Sequence, residues 1–484
     1  MTIVLTGASG YVGRRLAVQL AADPSVRLRL VVRNKAKVSD LAGPGIEVAE
    51  ADTLDAGSLR AALSGAETAY YLVHSLGAGK GFPDLERRSA MNFRDACAAT
   101  GVRRIIYLGG LGRRDTSSPH LRSRLETGEI LSAAPPEVRV VWFRAGIIIG
   151  AGSASFEIIH HLVRKLPVMV TPRWIKTKTQ PIGIEDVVAY LVRAKNLPLD
   201  ANAIVDIGGE VMTFRDMLLR TARVMGLRRA IVPVPVLTPR LSAAWLVFIT
   251  PVDTRIARAL VEGLKSPTVV ENDAARLLFP DLRPAPFEEI VRRALDETEA
   301  DRVPSRWCDS GAGATCAIRD LVLVPPDARV VRYAVSPSGL SAADLFAAAS
   351  AVGGRTGWFG FGWLWRLRGF MDKMAGGPGL SRGRRAAGAL RPGDSLDFWK
   401  VAGLDENRRL LLASEMKMPG RGWLEFITRD GRIEVAAYFR PRGLAGRLYW
   451  TLTGPLHRLV FPALVAGIVG RAGGKKGRSR EERP

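Results

Sequence analysis

Thr2-Ile3-Val4-Leu5-Thr6-Gly7-Ala8-Ser9-Gly10-Tyr11-Val12-Gly13 stands near the N-terminus, and its reading decides the fold. Thr2 to Leu5 is a short apolar strand, and the glycines that follow break it. Tyr11 to Ala22 then reads as a helix with Val12, Leu16 and Leu20 on one face. A strand, a glycine turn and a helix start leave unpaired amides at the helix N-terminus, where the helix dipole favours an anion. Gly7 permits the tight turn, Gly10 lets the backbone approach a pyrophosphate, and Gly13 lets helix and strand pack closely. The stretch therefore predicts a nicotinamide dinucleotide held by Thr6, Gly7, Ser9, Gly10, Tyr11, Val12 and Gly13.

Further along, apolar strands recur at Arg27 to Val32, Gly45 to Glu50, Thr68 to Val73, Arg104 to Leu108 and Val138 to Phe143. Helical patterns separate them at Ala56 to Leu63, Asp84 to Ala99 and Arg122 to Ser132. Such alternation specifies an α/β fold with a doubly wound parallel sheet. The second strand runs into Val32-Arg33-Asn34-Lys35, where an acid would suit NAD. Arg33 and Lys35 instead suit a 2′-phosphate, so NADP(H) is favoured over NAD(H); stacking of Arg33 on adenine is the alternative. Asp52 and Thr53, beyond the third strand, fall near the adenine, and Val73 and His74, ending the fourth, near the nicotinamide ribose. From Gly146 to Thr298 the alternation weakens into a small substrate-side subdomain, with helices at Ser155 to Lys165, Ile184 to Ala194 and Phe214 to Met225. Short strands fall there near Ala203 to Ile207 and Ile231 to Pro233.

These motifs resemble the atypical and extended short-chain dehydrogenases, in their NmrA-like and sugar-epimerase-like branch. Thr6 to Gly13 is similar to that branch's glycine loop. Arg144-Ala145-Gly146-Ile147-Ile148-Ile149-Gly150, Gln180-Pro181-Ile182 and Asp186-Val187-Val188 are similar to its later motifs. The resemblance spans residues 1 to about 295 and implies a Rossmann domain over 1–299. It also implies a Ser, a Tyr and a Lys that carry proton transfer, yet this chain departs from that set. The fifth strand ends Leu108-Gly109-Gly110 where the Ser belongs, His120 takes the Tyr position and Arg124 the Lys position. Arg124 retains the means to bind ribose and a His moves protons near neutral pH; lost catalysis is the competing reading. His74 is either an alternative acid or a polar residue lining the pocket, and the sequence leans to the second.

Ala300 to Thr315 is rich in Ser, Gly, Asp and Arg, which marks a linker over 300–318. Beyond it strands are expected at Asp327 to Val335, Ser395 to Val401, Arg408 to Lys417, Gly422 to Arg429 and Arg432 to Phe439. A helix spans Ala342 to Ala351 and a long one runs from Gly446 to Arg471, giving an α+β domain over 319–471. A basic, disordered tail is expected over 472–484. The pattern from Gly393 to Val401, with Glu415-Met416-Lys417, Pro419-Gly420, Tyr449-Trp450 and Pro455-Leu456-His457, resembles a bacterial domain appended to atypical dehydrogenases and similar to the helix-grip lipid-transfer and polyketide-cyclase superfamily. That resemblance implies an apolar small-molecule ligand, with Asp397 and Glu415 as polar candidates in its cavity. Surface or capping roles for both stay open.

The net charge is +23, and residues 319 to 484 hold 28 Lys and Arg against 14 Asp and Glu. Within them, Trp358 to Gly369 interleaves aromatics with arginines. Three readings stand: a buried aromatic core beside a solvated basic face, an anionic membrane surface, or nucleic acid. No nucleic-acid motif accompanies the charge, so that reading is set aside. Cys97, Cys308 and Cys316 offer neither a disulfide framework nor metal-ligand spacing, so no metal is expected. The N-terminus leaves no room for a signal peptide. Two apolar runs, Leu241 to Val252 and Leu459 to Val469, are short of the ~20 residues of a spanning helix. The sequence thus reads as cytoplasmic, with contact at the inner face of a membrane. Two functions compete: a reductase of an apolar, quinone-like or polyketide-like carbonyl, and a non-catalytic NADP(H)-responsive sensor with a ligand- or membrane-binding C-terminal module.

Overall fold

The computed structural model describes residues 1–74, 81–115, 117–234, 250, 252, 254–300, 303–305, 324–354, 356–375, 377, 379–381 and 390–481. The chain divides into two compact units, Met1–Thr315 and Cys316–Pro484. In the first, β1 (Thr2–Thr6), β2 (Arg27–Val32), β3 (Ile46–Glu50), β4 (Thr68–Tyr71), β5 (Arg104–Gly110) and β6 (Arg139–Ala145) join one sheet. Its seventh strand is Ala203–Ile207, which pairs in parallel with β6. The sequence had left that segment to the subdomain; a two-sided apolar edge at β6 is what recruits it. The order across the sheet is Ala203–Ile207, β6, β5, β4, β1, β2, β3. All pairings are parallel.

Each strand is apolar on both faces, as a sheet covered by helices on both sides requires. Ile3, Leu5, Leu30, Ile106 and Phe143 face Leu16 and Leu20 of α1 (Tyr11–Ala21), together with Val187 and Leu191 from the segment Ile184–Ala194. Val4, Tyr71, Ile105, Tyr107 and Trp142 face the opposite layer. That layer comprises α2 (Ala56–Leu63), α3 (Phe82–Ala99) and α4 (Pro119–Ser132). Strand order reverses between β1 and β4. Ligands of open α/β sheets bind outside the carboxyl ends of the strands at such a switch point.

The subdomain packs its own core around α5 (Ala154–Lys165), α6 (Phe214–Val224) and the helices Thr254–Gly263 and Phe287–Glu299. The expected linker does not start freely at 300. Val303 is buried in that core and Ser305 Oγ donates to Tyr11 O at 2.8 Å, so the chain first docks under α1. Residues 306–323, and most of the apolar run Leu241 to Val252, lie outside the described residues.

The second unit is a six-stranded antiparallel sheet ordered Arg329–Val335, Arg432–Pro441, Gly420–Arg429, Arg409–Ser414, Trp399–Asp405, Ser395–Leu396. Asp430 and Gly431 both take positive φ, 50° and 71°, making the tight hairpin that the Asp-Gly pair predicts. The single strand expected from Ser395 to Val401 is instead two strands that reverse at Asp397-Phe398. Asp397 sits at φ 54°, a conformation Asp tolerates better than most residues. Helices Ala342–Ala349, Gly362–Met374 and Gly443–Glu481 complete the unit. The last runs through Glu481, where a disordered tail was expected from 472. Leu345, Phe398, Phe426, Val435, Phe461 and Ile468 form the core between sheet and helices.

Candidate active site

The glycine turn has the tight geometry its sequence implies. Gly7 lies at φ 76°, and a Cβ on it would stand 2.6 Å from Leu72 O. A Cβ on Gly13 would stand 2.2 Å from Gly7 O, so α1 touches the turn through bare backbone. Gly10 N donates back to Gly7 O at 2.9 Å, no side chain caps α1, and its first turn holds no acid. The amides that begin α1 are thereby left for an anion at the positive end of the helix dipole. A nicotinamide dinucleotide fits this cradle, its pyrophosphate on the α1 amides.

Two of the loop's side chains are engaged elsewhere. Thr6 Oγ1 donates to Tyr70 O at 2.7 Å, pinning β1 to β4, so Thr6 serves the sheet. The Tyr11 hydroxyl points at Gly150, 2.6 Å from where a Cβ on that glycine would lie, and Arg15 lies over the Tyr11 ring. Tyr11 and Val12 can meet a phosphate only through their amides. Ser9 is half-buried beside the turn.

Arg33 and Lys35 are exposed at the end of β2. Asn34 accepts from Ala36 N at 2.9 Å and starts a 3-10 turn over Lys35–Leu41. Arg14, in α1, grips Asp40 bidentately at 2.8 and 3.0 Å and donates to Lys37 O. The basic turn is thus tied to the phosphate-facing helix, a role the sequence did not suggest for Arg14. Asp52 Oδ1 accepts from Leu54 N at 3.0 Å, and Thr53 O accepts from Asn92 Nδ2 at 3.1 Å. Both residues therefore shape the loop after β3, with Asn92 of α3 as an additional bracket.

Past β4 the structure gathers residues from three elements. His74 Nδ1 lies 2.6 Å from Glu86 Oε1 of α3, and Ser123 Oγ of α4 donates to the other oxygen of that carboxylate. The His120 ring lies 4.7 Å from the His74 ring, tilted by 40°. The His120 Nδ1 is buried with no hydrogen-bond partner among the described residues. Arg124 donates to Leu108 O and lies over the Tyr107 ring, whose hydroxyl donates to Arg124 O at 2.9 Å. The three sequence candidates, His74, His120 and Arg124, are therefore neighbours; Glu86 and Ser123 are the members the sequence did not single out. A carboxyl near the start of a predicted helix gave no period or motif to mark it. A Ser at the end of β5 would be crowded at Gly109, where a Cβ would stand 2.7 Å from Trp142 Nε1 and 3.3 Å from Phe143 O, while at Gly110 it would meet only the tip of Leu121 at 2.9 Å.

Burial is the largest influence on His74 and pushes its pKa below the usual imidazole value; Glu86 raises it and Arg124 lowers it. His120 is held well below that value by burial first, then by His74 and Arg124. Both rings are neutral at pH 7. The carboxylate accepts the His74 Nδ1 proton, which leaves Nε2 available to exchange a proton with a ligand.

In the second unit, Asp397 accepts from Trp358 Nε1 at 2.8 Å and from Gly354 N at 3.2 Å, and burial raises its pKa. It holds Gly354 and Trp358 to the sheet, which is neither the surface nor the capping role the sequence left open. Glu415 Oε1 lies 4.0 Å from the buried Lys400 Nζ. Glu157, His160 and His161 on α5 bring ligand atoms within 4.8 Å of one another, but His161 Nδ1 already pairs with Glu157 O and His160 stacks on Phe156.

Fold and loop define the class: an NAD(P)-binding Rossmann protein. Residues 7–134 match the NAD(P)H-binding family, and residues 329–464 match a family described as a protein of unknown function, DUF2867. The chain is 28% identical over 243 residues to ceramide reductase of Caulobacter vibrioides, covering 48% of this chain and 73% of that one. It is 35% identical over 132 residues to quinone oxidoreductase 2 of Escherichia coli, covering 27% of this chain and 44% of that one. Among solved structures, triphenylmethane reductase of Citrobacter sp. shares the fold at TM-score 0.51 and 20% identity, over 61% of this chain and all of that one. The NADPH complex of the Escherichia coli quinone oxidoreductase does so at TM-score 0.50 and 20% identity, over 60% of this chain and 99% of that one.

Proposed function

We propose that the first unit is an NADPH-dependent reductase of an apolar carbonyl or quinone-like substrate, with His74 as its proton donor. The observation that carries this is the carboxylate-backed imidazole of His74 at the end of β4, the strand beside β1 across the switch point. Bound NADPH supplies a hydride to the electrophilic carbon. His74, once protonated at Nε2 from solvent, gives that proton to the substrate oxygen and returns to its neutral form, with the Nδ1 proton on the ring throughout and donated to the Glu86 carboxylate. Ser123 fixes the carboxylate, and Arg124 spans the end of β5 where a ribose hydroxyl would lie. The ceramide and quinone reductases among the relatives support an apolar substrate. A sensor needs no such acid, so the catalytic reading is preferred. The second unit, a sheet against one long C-terminal helix, supports the helix-grip likeness and with it an apolar ligand there.

The test is loss of NADPH absorbance with quinones, long-chain ketones and small polar aldehydes, beside calorimetry of cofactor binding. Turnover of apolar carbonyls is expected; tight NADPH binding with no turnover across the set would return the protein to the sensor reading. The NADP(H) preference rests on Arg33 and Lys35. Arg33→Asp is expected to weaken NADPH about tenfold, an exposed charge-assisted contact being worth roughly 1–2 kcal/mol, and to strengthen NADH. Unchanged affinities for both cofactors in the same calorimetry would remove Arg33 from the 2′-position.

A further inference from the structure

The final helix is long and apolar enough over Gly443–Gly474 to cross a membrane, a run the shorter window Leu459 to Val469 had hidden. Its two halves differ. Val460, Phe461, Leu464, Val465 and Ile468 are buried in the core of the second unit. Leu444, Leu448, Leu452, Leu456 and Leu459 are exposed, Leu444 by 81% and Leu452 by 67%. The first half of the helix therefore turns an apolar face to solvent. At about 100° per residue these five leucines fall within one sector of roughly 120°. Arg447 and Arg458 lie along one border of it, both exposed.

The helix Gly362–Met374 repeats the arrangement. Trp363, Leu367, Phe370, Met371 and Met374 are exposed by 48–64% and fall within a sector of roughly 100°. Arg366 and Lys373 border it, while Trp365 and Asp372 turn the other way. The two helices lie side by side and antiparallel: a Cβ on Gly360 would meet Ala463, and Arg368 reaches the Tyr449 hydroxyl and lies over its ring. Asp372, the only acid in either helix before Glu481, is buried and accepts from Gly379 N and Lys417 N.

We propose that these two outer faces together form a docking surface for an anionic lipid bilayer, lying on the leaflet with the second half of the final helix still in the domain core. Ten large apolar side chains on adjacent helices exceed the scattered exposure usual on a soluble surface. The charged residues along the border, Arg366, Lys373, Arg447 and Arg458, are all cations, which is the complement of phosphate headgroups and places the leucines at the acyl boundary. The exposed stretch Leu444 to Leu459, about 24 Å long, is too short to cross and long enough to lie in the interface. This inference stands independently of the reductase reading.

Co-sedimentation of the full chain with vesicles of phosphatidylcholine, with or without phosphatidylglycerol, tests it. Binding to the anionic vesicles and much weaker binding to the neutral ones is expected. Arg447→Gln with Arg458→Gln should reduce anionic binding about thirtyfold, roughly fivefold per cation, and Leu448→Asp with Leu452→Asp should abolish it. Unchanged NADPH affinity, read in the other unit, and unchanged near-ultraviolet circular dichroism show that the variants fold. Absent binding, equal binding to both vesicles, or indifference to the leucine pair overturns the proposal. So does concentration-dependent self-association that the leucine pair removes without any lipid binding, which would make the face an interface between copies.

Discussion

Replacing His74 with Ala is expected to lower kcat about 10²- to 10³-fold while leaving NADPH affinity within about twofold, the usual range for loss of a positioned proton donor. The pH dependence gives the sharper reading. Burial holds the His74 pKa below its ordinary 6.5, so at pH 7 the protonated form is the minority. Reduction needs that form, so kcat/KM for the carbonyl should rise as pH falls toward the depressed pKa and level off below it. Above the pKa it should fall about tenfold per pH unit. The reverse reaction, in which the neutral ring accepts a proton, should show the opposite slope. Glu86 raises the His74 pKa, so Glu86→Gln should move the whole profile to lower pH and cost activity at pH 7, with NADPH binding again unchanged. His120 lies 4.7 Å away but is held further below the usual imidazole value and stays neutral while His74 titrates, so His120→Asn should leave the midpoint of the profile nearly in place. A kcat/KM independent of pH between 6 and 8 in the wild type, or full activity in His74→Ala, would remove His74 from the chemistry.

The difference between His74 and His120 shows what a sequence can and cannot carry. Position along the chain put His120 where a Tyr is expected and Arg124 one helical turn later, and both do stand beside β5. Position said nothing of Glu86, because the contact joins the end of a strand to a helix 12 residues on through a side chain that no repeat or spacing marks. Alternating strands and helices were legible because each strand is buried on both faces, which makes it continuously apolar. The strand Ala203–Ile207 was seen but misplaced, since nothing local tells a strand which neighbour it pairs with. In the second unit, composition could not say that Ser395 to Val401 bends back at Asp397, because an aspartate at positive φ leaves no trace in hydrophobicity. The final helix is ambiguous for a related reason: two partners, a core and a lipid surface, satisfy an apolar circumference equally well.

Gly13→Ala is expected to weaken NADPH about a hundredfold, the loss of roughly two charge-assisted hydrogen bonds worth ~1.5 kcal/mol each. The added methyl would stand 2.2 Å from Gly7 O and 2.9 Å from its carbon, both backbone atoms that no rotamer change can move. Either α1 retreats from the turn or the turn opens, and in both cases the amides lose the geometry that lets them converge on a pyrophosphate. Steric strain of this kind also costs ~1–3 kcal/mol of stability, so a falling melting temperature alone would not be informative. The discriminating measurement is the shift in melting temperature that saturating NADPH produces. The wild type should be stabilised by RT ln(1 + [L]/Kd), and Gly13→Ala should lose most of that increment at equal ligand concentration. Gly43→Ala, a glycine with nothing within 4 Å of the added methyl, should keep it in full. If Gly13→Ala retained the whole ligand-induced shift, the amides of α1 would not be what holds the cofactor, and with them would go the reason for placing His74 near a nicotinamide.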